Sequence, residues 1–220
     1  MRRRTNGQND LKILNVGVAT GYSSTLFNEF GTVTSVEYDR ETAEFASTVT
    51  GTEVVCASVT ALPFKDAEFD MVFAFDVIEH VEDDSLAVKE LCRTCKKDGF
   101  VFITVPAFMF LWSNHDVVNH HFRRYTMKSL IKLLADLKTE VVKSTYFNFF
   151  LFFPIAAWRL IAGKGKGGSA GSDNRVFFGK GIFHSIINAF FYGIFLLERP
   201  LLRFLGFPKG VSILLILKKP

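Results

Sequence analysis

Residues able to do chemistry gather at four places in this 220-residue chain, all ahead of Met127. Gly17-Val18-Ala19-Thr20-Gly21 follows a short apolar run and precedes a helix-like segment. Glycines there let the backbone come close to a ligand, and a helix start offers unpaired N–H groups. The spacing is G-x-x-x-G, so the dinucleotide fingerprint G-x-G-x-x-G is not met. Glu37 ends the next apolar run, and a carboxylate there can accept hydrogen bonds from two ribose hydroxyls. Together these two features point to a nucleoside without saying which. An ordinary strand-to-helix turn beside a solvated carboxylate would give the same pattern.

The third place is Asp76-Val77-Ile78-Glu79-His80. If this stretch is helical, Asp76, Glu79 and His80 share one face at i, i+3 and i+4. Two carboxylates and an imidazole could bind a divalent cation, or they could cap and pack the loop without any metal. The fourth place is His115-Asp116 followed by His121, Arg123, Arg124 and Tyr125. His80, His115, His120 and His121 are candidate general bases, since imidazole titrates near neutrality. His80, His121 and Tyr125 are the residues expected to be catalytic. Arg123 and Arg124, with His115, suit an anionic substrate held bidentately, although a structural network of ion pairs fits the same residues.

Strands and helices must alternate to position these groups. Lys12–Val16, Thr32–Glu37, Glu53–Cys56, Asp70–Phe75, Phe100–Val105 and Glu140–Tyr146 read as strands. Tyr22–Phe30, Arg40–Thr48, Asp83–Lys96 and Met127–Leu137 read as helices, with Asp98-Gly99 as a helix stop. That alternation predicts an α/β fold with a doubly wound, mostly parallel sheet and helices on both faces. Two apolar stretches follow, Phe147–Ile161 and a second reaching about Leu205. A glycine-rich loop at Gly163–Gly171 separates them, and Gly206–Gly210 turns into a last strand, Val211–Lys218.

At Leu62-Pro63-Phe64, Phe69-Asp70-Met71-Val72 and Asp76–His80, taken with the glycine run and Glu37, the chain resembles a known family. It is similar to the class I S-adenosylmethionine-dependent methyltransferases of the small-molecule type, over about residues 12–107. The resemblance implies a Rossmann-like sheet of seven strands with the last antiparallel, and S-adenosylmethionine as cofactor. It places Asn15, Gly17, Ala19, Gly21, Glu37, Tyr38, Ser58, Val59 and Asp76 at the cofactor. The His115–Thr126 segment and Pro208-Lys209-Gly210-Val211-Ser212 resemble a subgroup linked to envelope glycan and lipid pathways. The implied acceptor is therefore a small-molecule, lipid-like or glycan-intermediate compound. Three positions depart from the family pattern: Asn15 for the usual Asp, Ala19 for a glycine, and Ser58 for an acidic residue. They motivate the alternative of a catalytically degenerate binding protein.

The resulting division is a methyltransferase core at 1–147, an apolar, basic helical insertion at 148–210 beside the substrate pocket, and a final core strand at 211–220. Composition sets the insertion apart. Of 25 Phe, 13 lie from Phe147 to Phe207. Residues 1–147 carry 16 Lys and Arg against 20 Asp and Glu, whereas residues 148–220 carry 10 against 2. A basic, Phe-rich segment suits an anionic membrane surface, with Arg159, Lys164, Lys166, Arg175 and Lys180 around it. It equally suits a pocket cap or the face of a homodimer. His184 reads as a packed residue. The overall charge of +4 argues against nucleic acid as partner. Both apolar stretches fall short of the ~18–20 residues that cross a bilayer. Met1-Arg2-Arg3-Arg4 runs into polar sequence, so no export signal is read. Cys56, Cys92 and Cys95 give no disulfide framework, and Cys92 and Cys95 read as small buried thiols. The expected location is the cytoplasm, at the inner face of the membrane.

Overall fold

The computed structural model describes residues 10–161 and 182–220. Lys164, Lys166, Arg175 and Lys180 lie outside the described residues, and so does the side chain of His184. Alternation of β-branched runs with helix formers produces the expected order. It runs β1 (Leu11–Val16), α1 (Tyr22–Phe27), β2 (Gly31–Glu37), α2 (Arg40–Thr50), β3 (Val54–Cys56) and β4 (Phe69–Phe75). It continues with α3 (Asp84–Thr94), β5 (Cys95–Pro106), α4 (Asn114–Val118), α5 (Met127–Lys132) and β6 (Glu140–Phe147). The chain closes with α6 (Phe149–Ile161), α7 (Ile182–Phe204) and β7 (Ser212–Lys218).

The seven strands form one sheet in the order β3-β2-β1-β4-β5-β7-β6. β1 to β5 pair in parallel, and β7 is antiparallel to both β5 and β6. The strand order reverses between β1 and β4. In an open α/β sheet that is where a ligand cleft opens, at the carboxyl ends of the strands.

Each face of the sheet carries its own core. On one face Phe27 stacks on Phe73 at 4.3 Å, and Phe73 on Phe102 at 4.6 Å. Burying such a ring contributes roughly 1.5–3 kcal/mol. On the other face α3 lays Ala87, Val88 and Leu91, all 0% exposed, over Val72 and Ile103. Arg93 on α3 fixes the Leu62-Pro63-Phe64 segment by donating to the Leu62 carbonyl at 3.0 Å and the Phe64 carbonyl at 2.8 Å.

Several expected boundaries move, α1 ending at Phe27, α2 reaching Thr50 and β5 starting at Cys95 among them. α3 ends at Thr94, not at Asp98-Gly99, because Cys95 already pairs with Phe69 in the sheet. Phe100 then pairs with Met71, so residues 96–99 form a bulge, and Asp98 takes a φ of 60°. The Lys219 ammonium caps the helix instead, donating to the carbonyls of Cys92 at 3.0 Å and Cys95 at 2.8 Å. α5 stops at Lys132 rather than continuing to Leu137, and turns follow it. Cys92 and Cys95 are free and buried, and burial pushes their thiols up to about 11 and about 12.

The insertion supplies α6 and α7. Phe152 and Ala156 of α6 join Leu111 in a small separate core. Phe149 stacks on Phe207 at 4.8 Å. None of the described helices is long and apolar enough to cross a membrane.

Candidate functional site

β1 must end abruptly, because a Cβ added at Gly17 would sit 2.4 Å from Val77 Cγ2. Gly17 has φ 72°, Ala19 φ 47° and Gly21 φ 79°, all in the left-handed region. An L residue pays for that conformation, so Ala19 is held there by a specific contact. Its N–H donates to Glu37 Oε2 at 2.9 Å, and the Tyr38 N–H donates to Glu37 Oε1 at 2.8 Å. Glu37 thereby ties the glycine turn to the end of β2.

A cleft of about 770 Å³ opens there, a typical size for a small-molecule site. Gly17, Ala19, Glu37, Tyr38, Ser58, Val59 and Asp76 line it, seven of the nine residues expected at the cofactor. Asn15 and Gly21 do not. Asn15 is 1% exposed and its amide donates to the Ser23 and Ser24 hydroxyls, both at 2.9 Å, so it anchors the start of α1 from beneath. Gly21 is the N-cap of α1. Asp76 has φ 53° and accepts from the Thr104 hydroxyl at 3.2 Å, and burial pushes its carboxyl up.

His80, Asn119, His120 and Phe122 also line the cleft. Burial first, and then His121, lower the pKa of His80. His121 stands behind it, with ring centroids 4.5 Å apart in a T-shaped arrangement. The His121 Nδ1 meets Asp116 Oδ1 at 2.9 Å. Asp116 is 0% exposed and takes two bonds from Arg124, Nε to Oδ1 at 2.7 Å and Nη2 to Oδ2 at 3.0 Å. Burial pushes the Asp116 carboxyl up, but the Arg124 guanidinium outweighs it and holds the group below its ordinary value.

Several expected site residues therefore turn inward, and among the described residues none of 148–220 lines the cleft. Arg124 is spent on Asp116. Arg123 pairs with Asp84 at 2.8 Å and donates to the Glu82 carbonyl. Tyr125 is 3% exposed and its hydroxyl donates to Asp84 Oδ2 at 2.8 Å; burial and that carboxylate push its pKa far above normal. The structure does not bring Tyr125, Arg123 or Arg124 to the cleft as acid–base or substrate-binding groups, because internal carboxylates claim them. His115 is exposed and faces Asn119 at 3.0 Å.

The expected Asp76, Glu79 and His80 face does not form. Ile78–His80 is a single 3-10 turn, and Asp76 lies outside it. Glu79 instead comes close to His80 and His121. Burial first, and then Asp76, push the Glu79 carboxyl up to about 9. Sequence reasoning gave Asp116 no role, although its place five residues before His121 was visible. Asn119 and Phe122 also reach the cleft with no distinguishing motif.

Known proteins resemble this chain in sequence and fold. Residues 14–103 match a family described as a methyltransferase domain. A Mycobacterium tuberculosis protein named "Probable S-adenosylmethionine-dependent methyltransferase" is 30% identical over 128 residues, covering 56% of this chain and 47% of the relative. The chain thus spans about half the length of that relative. An uncharacterized protein of Methanocaldococcus jannaschii is 28% identical over 163 residues, covering 70% and 77%. A phosphatidylethanolamine N-methyltransferase of Cereibacter sphaeroides is 30% identical over 99 residues, covering 42% and 49%. A solved S-adenosylmethionine-dependent methyltransferase from Methanosarcina mazei shares the fold with a TM-score of 0.60 at 16% identity, covering 96% and 93%. Residues 14–103 thus match a methyltransferase domain, and the sheet around them has the fold of solved S-adenosylmethionine-dependent methyltransferases. The cradle suits S-adenosylmethionine: a turn that excludes a Cβ at Gly17, the Glu37 carboxylate, and apolar Val59, Val77 and Leu86.

The buried pair behind the cleft gives a stability test. Arg124→Met leaves Asp116 uncompensated and should cost about 3–5 kcal/mol in urea unfolding. Adding Asp116→Leu should restore most of the loss. A loss below about 1 kcal/mol would contradict the pairing.

Proposed function

We propose that this chain transfers a methyl group from S-adenosylmethionine to a lipid-like or glycan-intermediate acceptor at a membrane surface. The cleft carries the reading, with its glycine cradle, Glu37 and imidazoles. When bound, S-adenosylmethionine supplies a methyl group activated by a sulfonium. Backbone at Gly17 and Ala19 forms the cradle, and Glu37 takes the ribose hydroxyls. Tyr38, Ser58 and Val59 border the nucleoside, and Asp76 offers a carboxylate to the cationic end. His80 and His120 are the cleft side chains able to take a proton from the acceptor.

The acceptor class is supported by the insertion. Trp158, Leu160 and Ile161 on α6 and Tyr192, Leu197 and Phe204 on α7 are exposed. Arg199 and Arg203 stand among them, also exposed. Glu198, the carboxylate among the described side chains of these helices, is turned inward at 1% exposure to accept the Phe149 N–H at 2.9 Å. An apolar surface with outward cations complements an anionic bilayer. The C. sphaeroides relative is named for a phospholipid acceptor. A second reading, a protein that keeps the fold without the chemistry, draws on Asn15, Ala19 and Ser58.

Cofactor at about 100 times its Kd should stabilise the protein by about 2.7 kcal/mol, read as a rise in Tm. Gly17→Val should abolish the rise. Glu37→Ala, which removes charge-assisted bonds of about 1.5–3 kcal/mol each, should weaken binding at least tenfold. Labelled methyl should then pass from the cofactor into the lipid fraction of a membrane extract, which would eliminate the second reading. No rise in Tm, or an equal rise with Gly17→Val, would contradict the assignment.

The full chain should also sediment with phosphatidylglycerol vesicles. Binding should weaken as salt shortens the Debye length from about 10 Å at 0.1 M to about 3 Å at 1 M. Arg199→Glu with Arg203→Glu should lower the bound fraction. Indifference to such vesicles would contradict the membrane reading.

A further inference from the structure

Three side chains from two segments far apart in sequence converge at the cleft wall. Glu79, His80 and His121 each offer a ligand atom, and these atoms all lie within 4.8 Å of one another. Glu79 is 0% exposed, and neither of its carboxyl oxygens has a hydrogen-bond partner among the described residues. Leaving a buried polar group unsatisfied is expensive, so native structures rarely keep one without a purpose. Here both oxygens of one group are bare, and two imidazoles stand beside them.

The histidines are arranged for the same task. The His121 Nδ1 is committed to Asp116 Oδ1 at 2.9 Å, which leaves Nε2 as its free nitrogen. Asp116 is itself fixed by Arg124 and by the Ser113 N–H and hydroxyl, so it cannot swing away. A histidine whose second nitrogen is held by a buried carboxylate is the usual preparation of a metal ligand, because it sets the tautomer and the ring direction. A stacked pair would turn both nitrogens aside. The His80 and His121 rings instead meet edge to face, at an interplanar angle of 90°.

We propose that Glu79, His80 and His121 bind one first-row divalent cation of the zinc type, with Asp116 as the positioning residue behind His121. Two imidazole nitrogens and one carboxylate oxygen suit zinc, cobalt or manganese better than magnesium or calcium, which favour all-oxygen sets. Three protein ligands leave room for one more, the pattern of catalytic rather than structural sites. Asp76 is not a member; it lies outside the turn that carries Glu79 and His80 and is bonded to Thr104. His80 also lines the cleft, so the cation borders the space where an acceptor would sit. Resting on the methyltransferase reading, the cation would hold an acceptor oxygen and His120 would remain as the proton-accepting imidazole.

The test uses cobalt(II) as the probe on the full chain after chelator treatment and dialysis. One equivalent should bind and give visible d–d absorption. Glu79→Gln preserves shape and His121→Ala removes a ring; each should abolish the absorption at one equivalent of metal. Asp116→Asn should weaken binding about 10–100-fold, the usual effect of losing such a partner. Glu44→Gln, at an exposed carboxylate on α2, should leave cobalt binding unchanged. Circular dichroism identifies any variant that fails to fold, and the remaining variants then carry the test. Absence of cobalt binding by the wild type, or equal binding by folded Glu79→Gln or His121→Ala, would overturn the site. S-adenosylmethionine binding, followed separately by Tm, distinguishes the two readings: cobalt binding without a cofactor response supports the metal site alone, and the converse pattern overturns it while leaving the methyltransferase reading intact.

Discussion

The backbone at the end of β1 has no room for a side chain, and the glycine turn that lines the cleft depends on that fact. Val77 occupies the space a Cβ at Gly17 would need, so the chain must leave the strand with a positive φ. Once it does, Ala19 and Gly21 follow in left-handed conformations, and the turn needs an external clamp. Glu37 provides it by accepting the Ala19 and Tyr38 amides with its two oxygens. One carboxylate thus holds the cradle to β2 while keeping lone pairs for a ligand at the same edge. Ala19 stands where the family pattern has glycine, and the clamp is what makes an alanine tolerable there.

The histidine part of the cleft rests on a different constraint, the management of buried charge. Asp116 is fully buried and would be prohibitive alone, but Arg124 grips both of its oxygens and Ser113 supplies two more donors. That rigid unit fixes His121, and His121 backs His80. Glu79 lies in the same region with no such support, and burial drives it toward the neutral acid. Two neighbouring carboxyls thus have opposite fates, one stabilised as an anion by a guanidinium and one left bare beside two imidazoles.

Much of the fold was legible because alternation is local. Runs such as Lys12–Val16 and Asp70–Phe75 declare buried strands without reference to the rest of the chain. The antiparallel β7 came from the family resemblance rather than from periodicity. The Asp98-Gly99 signal was misread because a bulge and a helix stop use the same residues, and only the pairing of Cys95 with Phe69 separates them. The glycine turn and Glu37 were legible for the same reason as the strands, since they lie at strand ends. The surroundings of His80 and His121 were not. Arg123 and Arg124 look like anion binders in sequence, and what disqualifies them is the position of Asp84 and Asp116, a tertiary fact. Tyr125 likewise looks like an acid–base residue until its hydroxyl is found 2.8 Å from Asp84 in the core. The nearness of Glu79 to His121, more than 40 residues later, has no local signature at all.

The account stands or falls on where the cofactor lies. A crystal structure of the chain soaked with S-adenosylhomocysteine would test it most directly. The prediction is density in the cleft between the Gly17–Gly21 turn and the Asp76–His80 segment, with both ribose hydroxyls on the Glu37 carboxylate. A cleft that stays empty at saturating ligand, or density elsewhere on the chain, would contradict it.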